Sequence, residues 1–95
     1  MKRPRTDGNS KEIVENLRLM GVSCHLAVSG YATGMPDVVC GYRGTTHLLE
    51  IKMLGGKLRA NQVRFSNEHT GCFHVATNSH DAFELIQECH HRKRR

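Results

Sequence analysis

Apolar residues fall at Ile13, Val14, Leu17 and Met20, the three-and-four spacing of one helix face. Asn9 followed by Glu12 resembles a capping box, and Gly21 is a good C′ stop, so a helix is predicted over 10–20. The period then changes to two. Val22, Cys24, Leu26 and Val28 alternate with other residues and predict a strand over 22–28. A glycine-rich segment, SGYATGMP, separates it from two nearly continuous apolar runs, DVVCGY and HLLEIKML, read as strands over 37–42 and 45–53. Leu54-Gly55-Gly56-Lys57 breaks the pattern. A helix is predicted over 58–69, with Val63 and Phe65 partly buried and Gly71 after its end. A fourth strand follows over 72–77. The last helix is capped by Asn78 or Ser79 and carries Ala82, Phe83, Leu85 and Ile86. The order α-β-β-β-α-β-α predicts an α/β fold, a mixed central sheet flanked by helices.

At 95 residues there is room for one domain, and a hydrophobic fraction of 38% is ordinary for a folded chain. No stretch approaches the ~20 apolar residues of a membrane helix, so no membrane partner is expected. MKRPRTDGNS has no apolar core of a secretory signal, which gives a cytoplasmic expectation. The net charge of +5 is unevenly placed. Lys2, Arg3, Arg5, Arg92, Lys93, Arg94 and Arg95 hold half of the 14 basic residues. The chain between them carries seven basic residues against nine acids, a net of −2. The expected organisation is a basic arm over 1–9, one domain over 10–89, and a basic tail over 90–95. Basic arms on a slightly acidic body point to a polyanion, most often nucleic acid.

Arg43-Gly44 reads as a two-residue hairpin turn. Tyr42 then faces Thr45, Val39 faces Leu48, and Asp37 faces Glu50. Lys52, two residues beyond Glu50, shares that face, while Val38, Leu49 and Ile51 point to a core. Two carboxylates and an amine thus converge within apolar strands, where charge is costly without a purpose. Like charges so close call for a cation, and hard oxygen ligands suit Mg²⁺ or Mn²⁺, with the Ile51 carbonyl as a third donor. Lys52 would position or deprotonate a water, or stabilise charge on a phosphate.

These residues carry a resemblance. Gly34-Met35-Pro36-Asp37 followed by Glu50-Ile51-Lys52 resembles the PD-(D/E)xK nuclease superfamily. The wider order of glycine-rich loop, hairpin, Gly-Gly-Lys-Leu segment and Gln62 on the next helix is similar to small stand-alone VRR-NUC nucleases, common in phages. The resemblance covers roughly residues 10–88. It implies a restriction-endonuclease-like fold and a Mg²⁺- or Mn²⁺-dependent endodeoxyribonuclease that leaves 5′-phosphate ends, with no organic cofactor. Asp37, Glu50 and the Ile51 carbonyl would hold the metal, and Lys52 would be the catalytic lysine. Gln62 would support Lys52 or touch the scissile phosphate; its residue-level alternative is helix N-terminal polarity. Gly34 would permit close approach of DNA. The family also places an acid on the first helix. Glu12 and Glu15 are the choices and Glu12 is favoured, although a capping role serves it equally. Small members act as homodimers on branched DNA, in the manner of Holliday-junction resolvases. Leu19, away from the inner stripe, is a candidate interface residue.

Lys57, Arg59 and Arg64, with Arg92, Lys93 and Arg94, would hold backbone phosphates, contacts that position DNA without reading sequence. The same residues suit a solvated helix face. The scarcity of aromatic residues, 5%, argues against base stacking and for structure-selective binding. The alternatives are a non-catalytic nucleic-acid-binding protein of the same fold and a sequence-specific restriction-type endonuclease. A further one is a zinc-held structural protein. Four cysteines and seven histidines include Cys24-His25, Cys72 with His74, and Cys89-His90-His91, but these spacings match no usual structural zinc site. With no C-x-x-C pair and no secretory signal, the cysteines are expected to be reduced, with Cys24, Cys40 and Cys72 as small core residues.

Overall fold

A computed structural model describes residues 10–26 and 34–93. The basic arm over 1–9, the end of the predicted first strand at Val28, most of the glycine-rich segment, and Arg94 and Arg95 lie outside the described residues. The elements are α1 (Ser10–Leu19), β1 (Ser23–Leu26), β2 (Val38–Tyr42), β3 (Thr45–Ile51), α2 (Ala60–Glu68), β4 (Cys72–Ala76) and α3 (Ser79–Lys93). The strands form one mixed sheet in the order β1-β2-β3-β4. The first two pairings are antiparallel and β3–β4 is parallel. No helix among the described residues is long and apolar enough to cross a membrane.

Local chemistry sets the element ends. α1 closes in a Schellman motif: Gly21 N–H donates to Arg18 O at 3.1 Å and Val22 N–H to Leu17 O at 3.0 Å. Gly21 has φ +92°, a conformation that favours glycine. Arg43 and Gly44 have φ 48° and 88°, the type I′ geometry that matches the twist of flanking strands. The turn fixes the register as Tyr42 with Thr45, Val39 with Leu48, and Val38 with Leu49. Asn78 caps α3, its Oδ1 accepting from Asp81 N–H at 2.8 Å.

Period two divides the sheet between two covers. Val38, Cys40, Tyr42, Leu49, Ile51 and Ala76 face α1 and α3 and build the core with Ile13, Leu17, Ala82 and Ile86. The other face carries Leu48, Glu50 and Phe73 and meets α2, where Phe65 and Phe73 lie 6.1 Å apart between ring centroids. This second cover is thin. Val63 is 42% exposed, against its expected partial burial, and the one buried side chain of α2 is polar Gln62.

One expectation changes. Cys72 and Cys89 are joined in a disulfide, against the expectation that the cysteines are reduced; Cys24 and Cys40 are free. The pairing has no local signal, because it joins β4 to α3 across 17 residues. The last helix also runs through Lys93 and buries Cys89 and His90.

Candidate functional site

The turn at Arg43-Gly44 brings Asp37 to the mouth of the β2–β3 hairpin. There Asp37 Oδ2 accepts from Ile51 N–H at 3.4 Å, so the first carboxylate is tied to the backbone between Glu50 and Lys52. Glu50 is 3% exposed. Its Oε2 lies 3.4 Å from Lys52 Nζ and accepts from Gln62 Nε2 at 3.1 Å. Lys52 is anchored in turn through its backbone N–H, which donates to Ala76 O at 3.0 Å. Asp37, Glu50, Lys52 and Gln62 are therefore linked through Glu50 and the Ile51 backbone.

Gln62 occupies both roles that its position allows. At the third position of α2 its Oε1 accepts from Arg59 N–H at 2.8 Å, satisfying a donor at the helix start, while its Nε2 holds Glu50. Fixed at both ends, the amide holds the carboxylate in place. Gly34 makes this seating possible. At φ +83°, its Cβ position would lie 2.3 Å from Asn61 O, so only a glycine lets the loop pass α2 there. The close approach is to the chain's own helix, one residue before Gln62.

The remaining predicted residues lie apart from this group. Glu12 is exposed, as is Glu15, on a helix whose buried side chains pack against the core face of the sheet, opposite the face that carries Glu50. Lys57 and Arg59 are exposed just before α2 and Arg64 in its middle, and Arg92 and Lys93 are exposed at the end of α3. Leu19 is 85% exposed. A cleft of ≈ 610 Å³ runs between β4 and α3, lined by Asp81, Glu84 and Glu88 among others; it does not include the carboxylate group.

The donors at the hairpin mouth are the Asp37 and Glu50 carboxylates and the Ile51 carbonyl. All are hard oxygens from adjacent strands, a set that fits Mg²⁺ or Mn²⁺ and no soft metal. A second group lies on the core face: His47, Cys72, His74 and Cys89, all buried. Burial pushes the His74 imidazole down to about 4, and His47 is lowered for the same reason. The sequence pattern pairs Cys72 with His74 and passes over His47. The available signal is period two, which puts His47 on the same face as Leu49 and Ile51.

No protein-family model, curated protein or solved structure matches the chain. Fold and site define a small α/β protein with a carboxylate, lysine and glutamine group on one sheet face and a histidine and cysteine group on the other.

Proposed function

We propose that the chain is a metal-dependent, structure-selective DNA endonuclease of the PD-(D/E)xK kind, similar to small VRR-NUC nucleases, that hydrolyses phosphodiesters in branched DNA. The observation that carries this reading is the convergence of Asp37, Glu50, Lys52 and Gln62 at one hairpin mouth, joined through Glu50 Oε2 and the neighbouring Ile51 backbone.

Asp37, Glu50 and the Ile51 carbonyl would hold one Mg²⁺ or Mn²⁺. Bound there, the ion supplies a Lewis acid for the phosphate and lowers the pKa of a coordinated water. Lys52 presents its amine beside Glu50, where it stabilises negative charge growing on the phosphoryl oxygens. Gln62 donates to the same Glu50 oxygen that Lys52 faces and so holds the carboxylate in place, which leaves it needing no rearrangement when substrate arrives. Water attack that breaks the bond to the 3′ oxygen leaves a 5′-phosphate end. The exposed Lys57, Arg59, Arg64, Arg92 and Lys93 hold backbone phosphates. A second copy of the chain covers Leu19 and supplies a second site, which suits two cuts in a symmetric junction. The activity belongs in the cytoplasm.

The test is cleavage of labelled four-way junction, flap, splayed arm and plain duplex in Mg²⁺, Mn²⁺ or EDTA. Metal-dependent cutting of a branched substrate is expected. Binding without cutting, by a folded chain in either metal, would replace the nuclease with a non-catalytic nucleic-acid-binding protein.

A further inference from the structure

Three elements bring four metal-ligating side chains together on the core face of the sheet. His47 comes from β3, Cys72 and His74 from β4, and Cys89 from α3, with one ligand atom from each lying within 4.8 Å of the others. The parallel register pairs His47 with Cys72, and His74 follows two residues later on the same face. His47 Nδ1 and His74 Nε2 are 3.0 Å apart.

The disulfide accounts for the two sulfurs and leaves the imidazoles unexplained. Apolar side chains would fill the same space without the cost of burying polar atoms. Proton counting shows how His47 is aimed. The Thr45 hydroxyl has one proton and donates it to Tyr42 O at 2.7 Å. Its two lone pairs are then left to accept at its contacts with His47 Nε2 at 2.8 Å and His90 Nδ1 at 3.1 Å. Nε2 carries the proton, and Nδ1 turns its lone pair toward His74 and the sulfurs. A ligand histidine has this arrangement, with its second nitrogen held by an outer hydrogen bond.

The geometry points to a closed Cys₂His₂ zinc site in the reduced chain, formed by His47 Nδ1, His74 Nε2 and the sulfurs of Cys72 and Cys89. Zinc bonds of about 2.3 Å to sulfur and 2.0–2.1 Å to nitrogen place tetrahedral ligand atoms about 3.3–3.8 Å apart, within the spread of this cluster. A dithiol reductant opens the disulfide. Two electrons and two protons convert it to two thiols while the dithiol closes into its own disulfide. Zn²⁺ then displaces both thiol protons to solvent. The result is one Zn²⁺, two thiolates and two neutral imidazoles, with no net charge to bury. All four positions come from protein, so the ion is structural and ties α3 to β3 and β4. Thiolate and imidazole donors separate this site from the oxygen donors at Asp37 and Glu50.

The full chain, reduced and freed of metal, is titrated with Zn²⁺ and then with Co²⁺. One zinc per chain is expected, with the intense visible bands of tetrahedral cobalt and a thiolate charge-transfer band. The oxidised chain should show no thiolate bands and one fewer zinc than the reduced chain, and a dithiol should restore both. Thr45→Val should weaken zinc binding about 10- to 100-fold by freeing the His47 ring. Asp37→Asn should leave it unchanged. If the reduced chain folds only with zinc, the site is supported. Four free thiols with no zinc taken up, whether the chain is folded or unfolded, would overturn it, as would a cobalt spectrum lacking thiolate bands.

Discussion

On one face of β3, Glu50 sits among oxygen and nitrogen donors beneath α2, a helix that buries only Gln62. On the other face, three residues earlier, His47 sits among sulfur and imidazole beneath α3, which buries Ala82, Ile86, Cys89 and His90. The strand is the same, and the covers differ. A thin cover anchored by one hydrogen-bonded amide leaves Lys52 within reach of a large polyanion. The thicker cover is tied to the sheet by the Cys72–Cys89 disulfide. Burial alone therefore does not identify a reactive site, because Glu50 and His47 are both buried.

Substitutions on the α2 face should produce the largest effects. Asp37→Ala, Glu50→Gln and Lys52→Ala should each reduce single-turnover cleavage of branched DNA by at least about 10²–10³-fold, the scale of losing one preorganised charge or donor. Circular dichroism should show the fold retained; cleavage within a few-fold of the parent would place the chemistry elsewhere. On the α3 face the expected loss is in stability. Reducing the Cys72–Cys89 bond in the presence of a zinc chelator should cost about 3 kcal/mol for a loop of this length, read as a lower urea midpoint.

The α3 face should also respond to acid. Unfolded imidazoles take up protons near pH 6.5, whereas folded His74 is held down to about 4. The unfolded chain thus binds more protons between those values. Stability of the oxidised chain should be full above about pH 6.5 and fall as pH drops toward 4. A flat urea midpoint across that window would remove His74 from the stabilising cluster. Gly34→Ala joins both readouts. With φ +83° and Asn61 O in the way, it should cost about 1–3 kcal/mol and slow cleavage by displacing Gln62. Unchanged melting would show that the loop moves freely around α2. The smallest effect belongs to the tail. Removing residues 92–95 should weaken DNA binding and lower its salt slope by roughly 0.9 for each phosphate no longer neutralised. An unchanged slope would leave these residues as solubilising charge.

What the sequence made legible was local. Alternation and the Arg43-Gly44 turn gave the hairpin register, and that register placed Asp37 at the mouth where Glu50 and Lys52 meet. The stop at Gly21 and the cap at Asn78 or Ser79 were equally local. The histidine and cysteine group was not legible as a site, because its members come from three elements and meet only through the parallel β3–β4 pairing. Cys89 was hidden for a related reason. The basic residues after it read as a tail, although α3 carries His90, His91, Arg92 and Lys93 as its last turn. Gln62 was legible as a helix-start residue, but its hydrogen bond to Glu50 depends on how α2 folds over the sheet.

The most direct test is one sample of Glu50→Gln beside the parent chain, with cleavage of a four-way junction in Mn²⁺ measured under single-turnover conditions. Glutamine preserves the shape of Glu50 and removes its charge. The prediction is a folded protein that still binds the junction and no longer cuts it. Cutting at the parent rate would contradict the assignment of the hairpin mouth as the hydrolytic centre.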